Sequence, residues 1–371
     1  MPFIADEWPI ASGAVVLGQS LTMFSGCDYL GLSHHPDVLE AVRDGLGRYG
    51  LAANGSPVTT GLTRAHRELE AALANFTGHA ECCLLPDGHL ANLAACQALA
   101  ATHSVALLDE RAHDSLVSSA RLVGLQPQRY RHCDALDAAR RARAESGRVL
   151  VMTDSLFGAS GSLAPLTELI RALPANATLL IDDGHGTGVL GPGGRGAFAS
   201  CVHADAGLRK DLAVPDFEVL VTSSLSKGLA CYGGAVLGSS ARIAAIRSVG
   251  AYAGTTPIPP AIAAGVSRAV GVLERDATRV ERLRQNAARV RQCLAELGYA
   301  VPDLDVPVFC FTADAARTET LERALERESL YVPRVNYANG PATQYFRLAV
   351  SAAHADRDVE RLLACLRVAL G

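Results

Sequence analysis

Leu179-Leu180-Ile181-Asp182-Asp183-Gly184-His185-Gly186-Thr187-Gly188-Val189-Leu190-Gly191-Pro192-Gly193-Gly194-Arg195-Gly196 is the stretch whose reading decides the fold. It opens as a buried strand, ends that strand on a carboxylate and runs into a glycine-rich turn. Gly186 to Gly191 matches GxGxxG behind a strand, the mark of a dinucleotide enzyme. In a Rossmann unit those glycines open a helix, and Pro192-Gly193-Gly194-Arg195-Gly196 prevents one here. The glycines read instead as a tight loop at the end of a sheet strand.

Working outward, short β-rich runs alternate with helical patterns, which predicts an α/β domain with a mainly parallel sheet. Strands are expected at Cys82-Leu85, Val105-Asp109, Val149-Thr153, Leu179-Asp182, Val219-Thr222 and Ala235-Gly238. Helices are expected at Ala65-Phe76, capped by Thr63, at Leu90-Thr102 and at Leu136-Glu145. From about residue 260 the pattern changes to a long helical stretch, Ala261-Leu297. Beyond it come a strand at Val308-Thr312, a helix near Thr318-Glu328, a strand at Phe346-Ser351 and a helix at Asp356-Leu370. The expected organisation is an N-terminal segment, 1–45, packing with a small α+β domain, 272–371, and a large sheet domain, 46–271, sandwiched by helices.

Composition narrows the function. A net charge of -4 gives no electrostatic footprint for nucleic acid. Ten cysteines lie dispersed, without CxxC pairs, and read as reduced thiols in a cytoplasmic protein. The first residues, Met-Pro-Phe-Ile-Ala-Asp-Glu, lack the basic-then-apolar order of a secretory signal, and no stretch has transmembrane length. Metal-ligand spacings such as HExxH are absent, His34-His35 cannot face one ion from a strand, and no metal is expected. A GxSxG nucleophile elbow is absent too.

In an open α/β sheet, ligands bind outside the carboxyl ends of the strands. Chemistry recurs at that address here. His113 follows strand 105–109, Asp154 follows 149–153, Asp182 and His185 follow 179–182, and Ser224 and Lys227 follow 219–222. Lys227 is one of only two lysines, in a chain that otherwise takes its basic residues from arginine, which cannot lose its proton. Amine, carboxylate, imidazole and hydroxyl suit pyridoxal phosphate. Its aldehyde needs a lysine, and its ring nitrogen needs a carboxylate to stay protonated. Asp182 is the first choice for that carboxylate and Asp183 the competing one, because strand alternation sends the two to opposite sides. His185 could donate to the phenolic oxygen and His113 could stack on the ring. Gly88 and His89, after Asp87 at a helix start, offer N–H groups to a phosphate, with Ser224 adding a hydroxyl. Gly88 reads equally as a turn glycine.

Five segments together resemble the α-oxoamine synthases, fold-type-I pyridoxal phosphate transferases. They are Asp28-Tyr29-Leu30-Gly31-Leu32-Ser33-His34-His35-Pro36, the run Asp182 to Gly191, the Ser224 to Lys227 turn, Pro259-Pro260, and Arg347-Leu348-Ala349-Val350-Ser351-Ala352-Ala353-His354. The first resembles the oxononanoate synthase branch most. The resemblance implies that Lys227 carries the cofactor as a Schiff base, that Asp182 pairs with the pyridinium, and that His185 and His113 contact the ring. It implies Gly88, His89, Ser224 and Asp154 around the cofactor, with Thr256 reaching in from the partner subunit of a homodimer that shares its active sites. Arg347 would receive the amino-acid carboxylate, and His66, before Leu69-Glu70, would be structural. The implied reaction joins a small amino acid to an acyl thioester, carried on coenzyme A or a carrier protein, with loss of carbon dioxide.

Departures from the family pattern gather on the substrate side. Cys27 replaces a usual asparagine, and a thiol is a poor substitute donor. Val58 stands where several members carry arginine or histidine near the acyl site. Gly158-Ala159-Ser160-Gly161 replaces Ser-Met-Asp-Gly, and Gly184 replaces the alanine beneath the ring. Val335-Asn336-Tyr337-Ala338-Asn339-Gly340-Pro341 lacks the usual proline pair. These changes leave two other readings open: a pyridoxal phosphate enzyme of this fold running an aminotransferase, aldol-type or other carbon–carbon bond-forming reaction, or a silent partner subunit.

Overall fold

The computed structural model describes residues 3–205, 207–208, 217–302, 304, 306–337 and 339–371. Met1, Pro2 and Ala338, touched on above, lie outside these residues. The chain forms two compact units. One comprises Pro36–Phe157 and Leu163–Arg275; the other comprises residues 1–35, Gly158–Ser162 and Asp276–Gly371.

The larger unit is built on a seven-stranded sheet in the order 81–85, 234–238, 218–224, 177–182, 149–154, 105–109, 126–130. Gly234–Gly238 runs antiparallel to both neighbours, and the remaining pairings are parallel. The central strands are continuous apolar runs because both faces of a parallel sheet are covered. All six residues of Val149–Asp154 are buried, as are the first five of Ala177–Asp182. The helix Gly88–Ala100 packs an alanine-rich surface into this core through Ala91, Ala94, Ala95 and Leu99. All six predicted large-sheet strands are present. The seventh, Gln126–Tyr130, reads Gln-Pro-Gln-Arg-Tyr and was not expected. It lies at the sheet edge, where Pro127 is tolerated and one face stays wet.

The expected domain limits at 45/46 and 271/272 both fall inside helices, Pro36–Tyr49 and Pro260–Arg275. These two helices pack on each other. A Cβ on Gly45 would come within 2.7 Å of the Ala261 Cα, so both stay in the larger unit and the limits move to 35/36 and 275/276. The expected single helical stretch 261–297 is likewise two helices, Pro260–Arg275 and Thr278–Glu296. Between them the Asp276 carboxylate accepts from the Thr278 N–H at 3.1 Å and the Thr278 hydroxyl at 2.5 Å. That capping arrangement starts a new helix instead of continuing the old one.

The smaller unit draws on three stretches of chain. Glu7–Ile10, Gly13–Val16 and Gln19–Met23 form an antiparallel meander, and Leu330–Tyr331 pairs in parallel with the last of them. Val308–Phe311, Tyr345–Ala349 and Arg334–Val335 form a second, antiparallel sheet. Helices Thr278–Glu296, Ala315–Arg327 and Asp356–Leu370 bury Leu283, Val290, Leu321, Leu362 and Leu366. Among the described residues, no helix is long and apolar enough to cross a membrane.

Candidate active site

Five of the parallel-running strands end on one edge of the large sheet, and the predicted residues collect there. Asp182 ends its strand half-buried. One carboxylate oxygen accepts from the Gly184 N–H at 2.9 Å and the other from the Asn92 side-chain amide at 2.8 Å. Asn92 is itself fixed. Its amide also reaches the Ser115 hydroxyl at 2.9 Å, and its carbonyl accepts from the Thr222 hydroxyl at 2.5 Å. Asn92, Ser115 and Thr222 are all buried and none was anticipated. Their only signal in the sequence is a lone amide in an apolar helix, Leu90-Ala91-Asn92-Leu93-Ala94-Ala95, and such an amide must find partners when buried.

Asp183 points elsewhere. It is buried and accepts from the Ser155 hydroxyl at 2.6 Å, the Thr187 hydroxyl at 2.9 Å and the Ala197 N–H at 3.3 Å. Its main-chain carbonyl also takes the N–H groups of Gly186 and Thr187. Asp183 therefore closes the glycine loop, while Asp182 faces the lysine. A methyl group placed on Gly184 would lie 2.9 Å from an Asp182 oxygen and 3.0 Å from Lys227 Nζ. The amine uses the space that the missing alanine side chain leaves.

Asp154 sits beside Asp182 on the neighbouring strand, as its direct register partner. Burial, and after it the Asp182 charge, push the Asp154 carboxyl well above the usual carboxylate range. A second charge beside Asp182 is costly, which favours the neutral form of the Asp154 carboxyl. An Asp154 oxygen accepts from the His113 N–H at 2.9 Å, which sets the start of helix Asp114–Leu122. The His113 ring, exposed, turns Nδ1 to the Ser115 hydroxyl at 2.7 Å. The protein packed around the inner side of the ring partly desolvates it and lowers its pKa; Asp182 then opposes and Lys227 reinforces that shift, which places all three groups in one electrostatic neighbourhood. His185 is half-buried in the turn after Asp182.

Gly88 begins its helix against Ser224: a methyl group there would come 3.0 Å from the Ser224 Cβ. Asp87 caps the helix by accepting from Leu90 N–H at 2.8 Å, and the first N–H groups, those of Gly88 and His89, have no acceptor within the helix. His89 is exposed, and its Nε2 lies 3.4 Å from the Ser118 hydroxyl. The residues fit pyridoxal phosphate: an amine on a flexible stem, a carboxylate fixed by two donors, and a glycine–serine cradle at a helix start. Thr256 and Val58 are exposed on loops of the same unit. His66 is buried; its Nδ1 accepts from Thr63 N–H at 3.0 Å and its Nε2 bonds the Ile258 carbonyl at 2.8 Å, a helix-capping role. Among the described residues, Asp109, His132 and Cys133 gather metal-type donors within 4.8 Å. Both Asp109 oxygens accept main-chain N–H groups, from Arg111 and Cys133, so the cluster is knit by hydrogen bonds.

Arg347 lies in the smaller unit, on Tyr345–Ala349, and is only 6% exposed. Its Nε donates to the Gly158 carbonyl at 2.7 Å. Among the described residues no carboxylate pairs with it. The groups that face it are Tyr29, Cys27, Cys310 and Tyr337. Burial, and after it the Cys27 thiol, push the Tyr29 phenol well above its ordinary pKa. Two of the departures noted in the sequence, Cys27 and Gly158, thus both meet Arg347. A buried guanidinium is costly unless its charge is compensated.

Residues 21–366 match the family described as aminotransferase class I and II. The chain is 37% identical to the 8-amino-7-oxononanoate synthase of Thioalkalivibrio sulfidiphilus over 358 residues, covering 95% of this chain and 89% of that one. It belongs to the α-oxoamine synthase family. The same name attaches to a relative from Methylococcus capsulatus, 36% identical over 97% of this chain and 92% of its own. The fold superposes on serine palmitoyltransferase of Sphingomonas wittichii with a TM-score of 0.89 and 25% identity, covering 99% of this chain and 91% of that one. This α-oxoamine synthase is a fold-type-I pyridoxal phosphate-dependent acyltransferase, and its family's reaction is a decarboxylative condensation.

Proposed function

We propose that this α-oxoamine synthase joins the α-carbon of a small amino acid to the acyl group of a thioester carried on coenzyme A or a carrier protein. One carbon–carbon bond forms, the thioester C–S bond and the bond to the amino acid's carboxyl carbon break, and one proton is consumed. The products are an α-amino ketone, carbon dioxide and free thiol, with no net oxidation. The observation that carries the amino-acid half is Arg347, a buried guanidinium with no carboxylate partner among the described residues.

Pyridoxal phosphate, when bound, supplies an aldehyde for amines and a ring that takes up the electron pair left on the α-carbon. The chain supplies the rest. Lys227 Nζ anchors the aldehyde and is the base that holds the α-proton. Asp182, fixed by Asn92 and Gly184, is the carboxylate for the ring nitrogen, and burial disfavours a second charge on Asp154 beside it. Gly88, His89 and Ser224 hold the phosphate; His113 and His185 flank the ring. Arg347 takes the substrate carboxylate, and Cys27 offers it no amide donor, so the guanidinium carries more of that binding than in relatives with asparagine. Val58 lines the acyl side. Thr256 reaches the site of a partner subunit in a homodimer, and cytoplasmic placement suits ten cysteines held outside any disulfide.

The test is a panel of acyl thioesters with glycine, L-alanine or L-serine, following thiol and carbon dioxide together. Equimolar release, lost in Lys227→Ala, is expected, and Arg347→Ala should raise the amino-acid concentration needed for half-saturation about tenfold or more. Amine transfer without thiol release would replace the condensation with an aminotransferase. Unchanged amino-acid affinity in Arg347→Ala would remove the carboxylate role.

A further inference from the structure

We propose that the excursion Gly158–Ser162 is the positioning device for Arg347, and that it dictates how the substrate carboxylate is gripped. The proposal rests on the reading of Arg347 as carboxylate receptor. An arginine can hold a carboxylate side-on, through Nε and one terminal nitrogen, or end-on, through its two terminal nitrogens. Here Nε already donates to the Gly158 carbonyl at 2.7 Å. Nε is thus committed, the terminal pair lies beside the Tyr29 phenol, which also bonds the guanidinium, and the substrate is taken end-on through that pair.

The carbonyl stays in place because the excursion is seated without a gap on its own unit. Gly161 has φ +76°, a conformation that side chains disfavour, and a Cβ there would lie 2.4 Å from the Val308 carbonyl oxygen. Val308 belongs to the strand that pairs with the arginine's own, in a register that sets Val308 against Ala349 and Cys310 against Arg347. The tip is stiffened by Ser160 and Ser162, whose hydroxyls are 2.9 Å apart, with the Ser160 hydroxyl also accepting the Ser162 N–H at 3.3 Å. Glycine at 161 therefore fixes the height of the loop on the strand, and that height fixes the carbonyl of Gly158. Gly161 is a positioning residue; it need not touch the substrate.

The experiment uses holoenzyme and whichever of glycine, L-alanine and L-serine perturbs the cofactor absorption, titrated beside its carboxamide, which lacks the anionic carboxylate. Gly161→Ala should weaken the amino acid about tenfold while changing the carboxamide by less than about twofold, with cofactor retention close to the parent and a melting temperature lowered by the strain at the loop. Equal weakening of both ligands, or no weakening, overturns the proposal. Should Gly161→Ala not fold, arginine-selective NMR on the unaltered holoenzyme decides, with the Arg347 signal assigned by its loss in Arg347→Lys. Its Nε–H should exchange slowly and keep its shift when the amino acid binds, while the terminal nitrogens move; a shift centred on Nε overturns the proposal. If Arg347→Ala itself leaves affinity for the amino acid unchanged, the carboxylate reading fails first, a distinct result.

Discussion

At the scale of single residues, the charge on Asp182 depends on an amide that makes no claim to chemistry. Asn92 bonds Asp182, Ser115 and Thr222 at once, so its replacement leaves two buried hydroxyls and the half-buried Asp182 carboxylate short of a partner. Asn92→Leu should cost about 2–4 kcal/mol of stability by denaturant melts and weaken cofactor retention by at least about tenfold on dialysis. A stable variant with unaltered retention would show that Gly184 N–H alone suffices for Asp182. The sequence makes Lys227, Asp182, His113 and Ser224 legible because a strand end is a recognisable address. It leaves Asp182 and Asp183 unranked, since alternation says only that they diverge. What ranks them is the hydroxyls of Ser155, from the neighbouring strand's end, and of Thr187, four residues on in the loop, which together occupy Asp183. Tyr29 escapes a residue-by-residue reading for the same reason: its phenol gains meaning only beside Arg347.

At the scale of elements, the strand Tyr345–Ala349 and the turn after it hold Arg347 and stitch the Cys27–Tyr29 segment to it. Ala349 N–H donates to the Phe24 carbonyl, Ala352 N–H to that of Tyr29, and the Ser351 hydroxyl to that of Asp28 at 2.6 Å. His354 finishes the seam. Its Nδ1 accepts from Ser351 N–H at 3.0 Å, its Nε2 donates to the Met23 carbonyl at 3.0 Å, and its ring stacks on Phe24 at 4.0 Å. Both nitrogens are committed to the neutral ring, and burial lowers its pKa to about 4. The folded value lies below the unfolded value of about 6.5, so this contribution is complete above pH 6.5 and is lost as pH falls toward 4. His354 alone should remove about 3 kcal/mol of stability across that window, read as denaturant midpoints against pH. His354→Gln should flatten the slope; an unchanged slope would assign it to other groups, His79 first, whose pKa burial also lowers to about 4. Strands with buried faces were readable from periodicity. Gln126–Tyr130, the N-terminal meander and the two-residue strands were not, because edges and short ladders carry no apolar run.

At the scale of the molecule, the large sheet was legible because one βα pattern repeats along it, whereas the limits of the units were not. Helix Pro36–Tyr49 looks from its sequence as though it could go with either unit, and only the close approach of Gly45 to Ala261 commits it. A homodimer with Thr256 placed in the partner's site should sediment at about twice the 38.8 kDa chain mass. Thr256→Arg should then lower cofactor retention without lowering the melting temperature of the chain; a fully active monomer would end the shared-site reading. The smaller unit has a further consequence in its order of assembly. Gln19–Met23 finds its parallel partner at Leu330–Tyr331, and the carbonyls of Met23, Phe24, Asp28 and Tyr29 accept from donors at residues 349–354. On the ribosome these early strands wait, exposed, while some three hundred residues are made, about 15–60 s at ordinary rates of synthesis. That interval, rather than the finished fold, is where this chain is most exposed to aggregation.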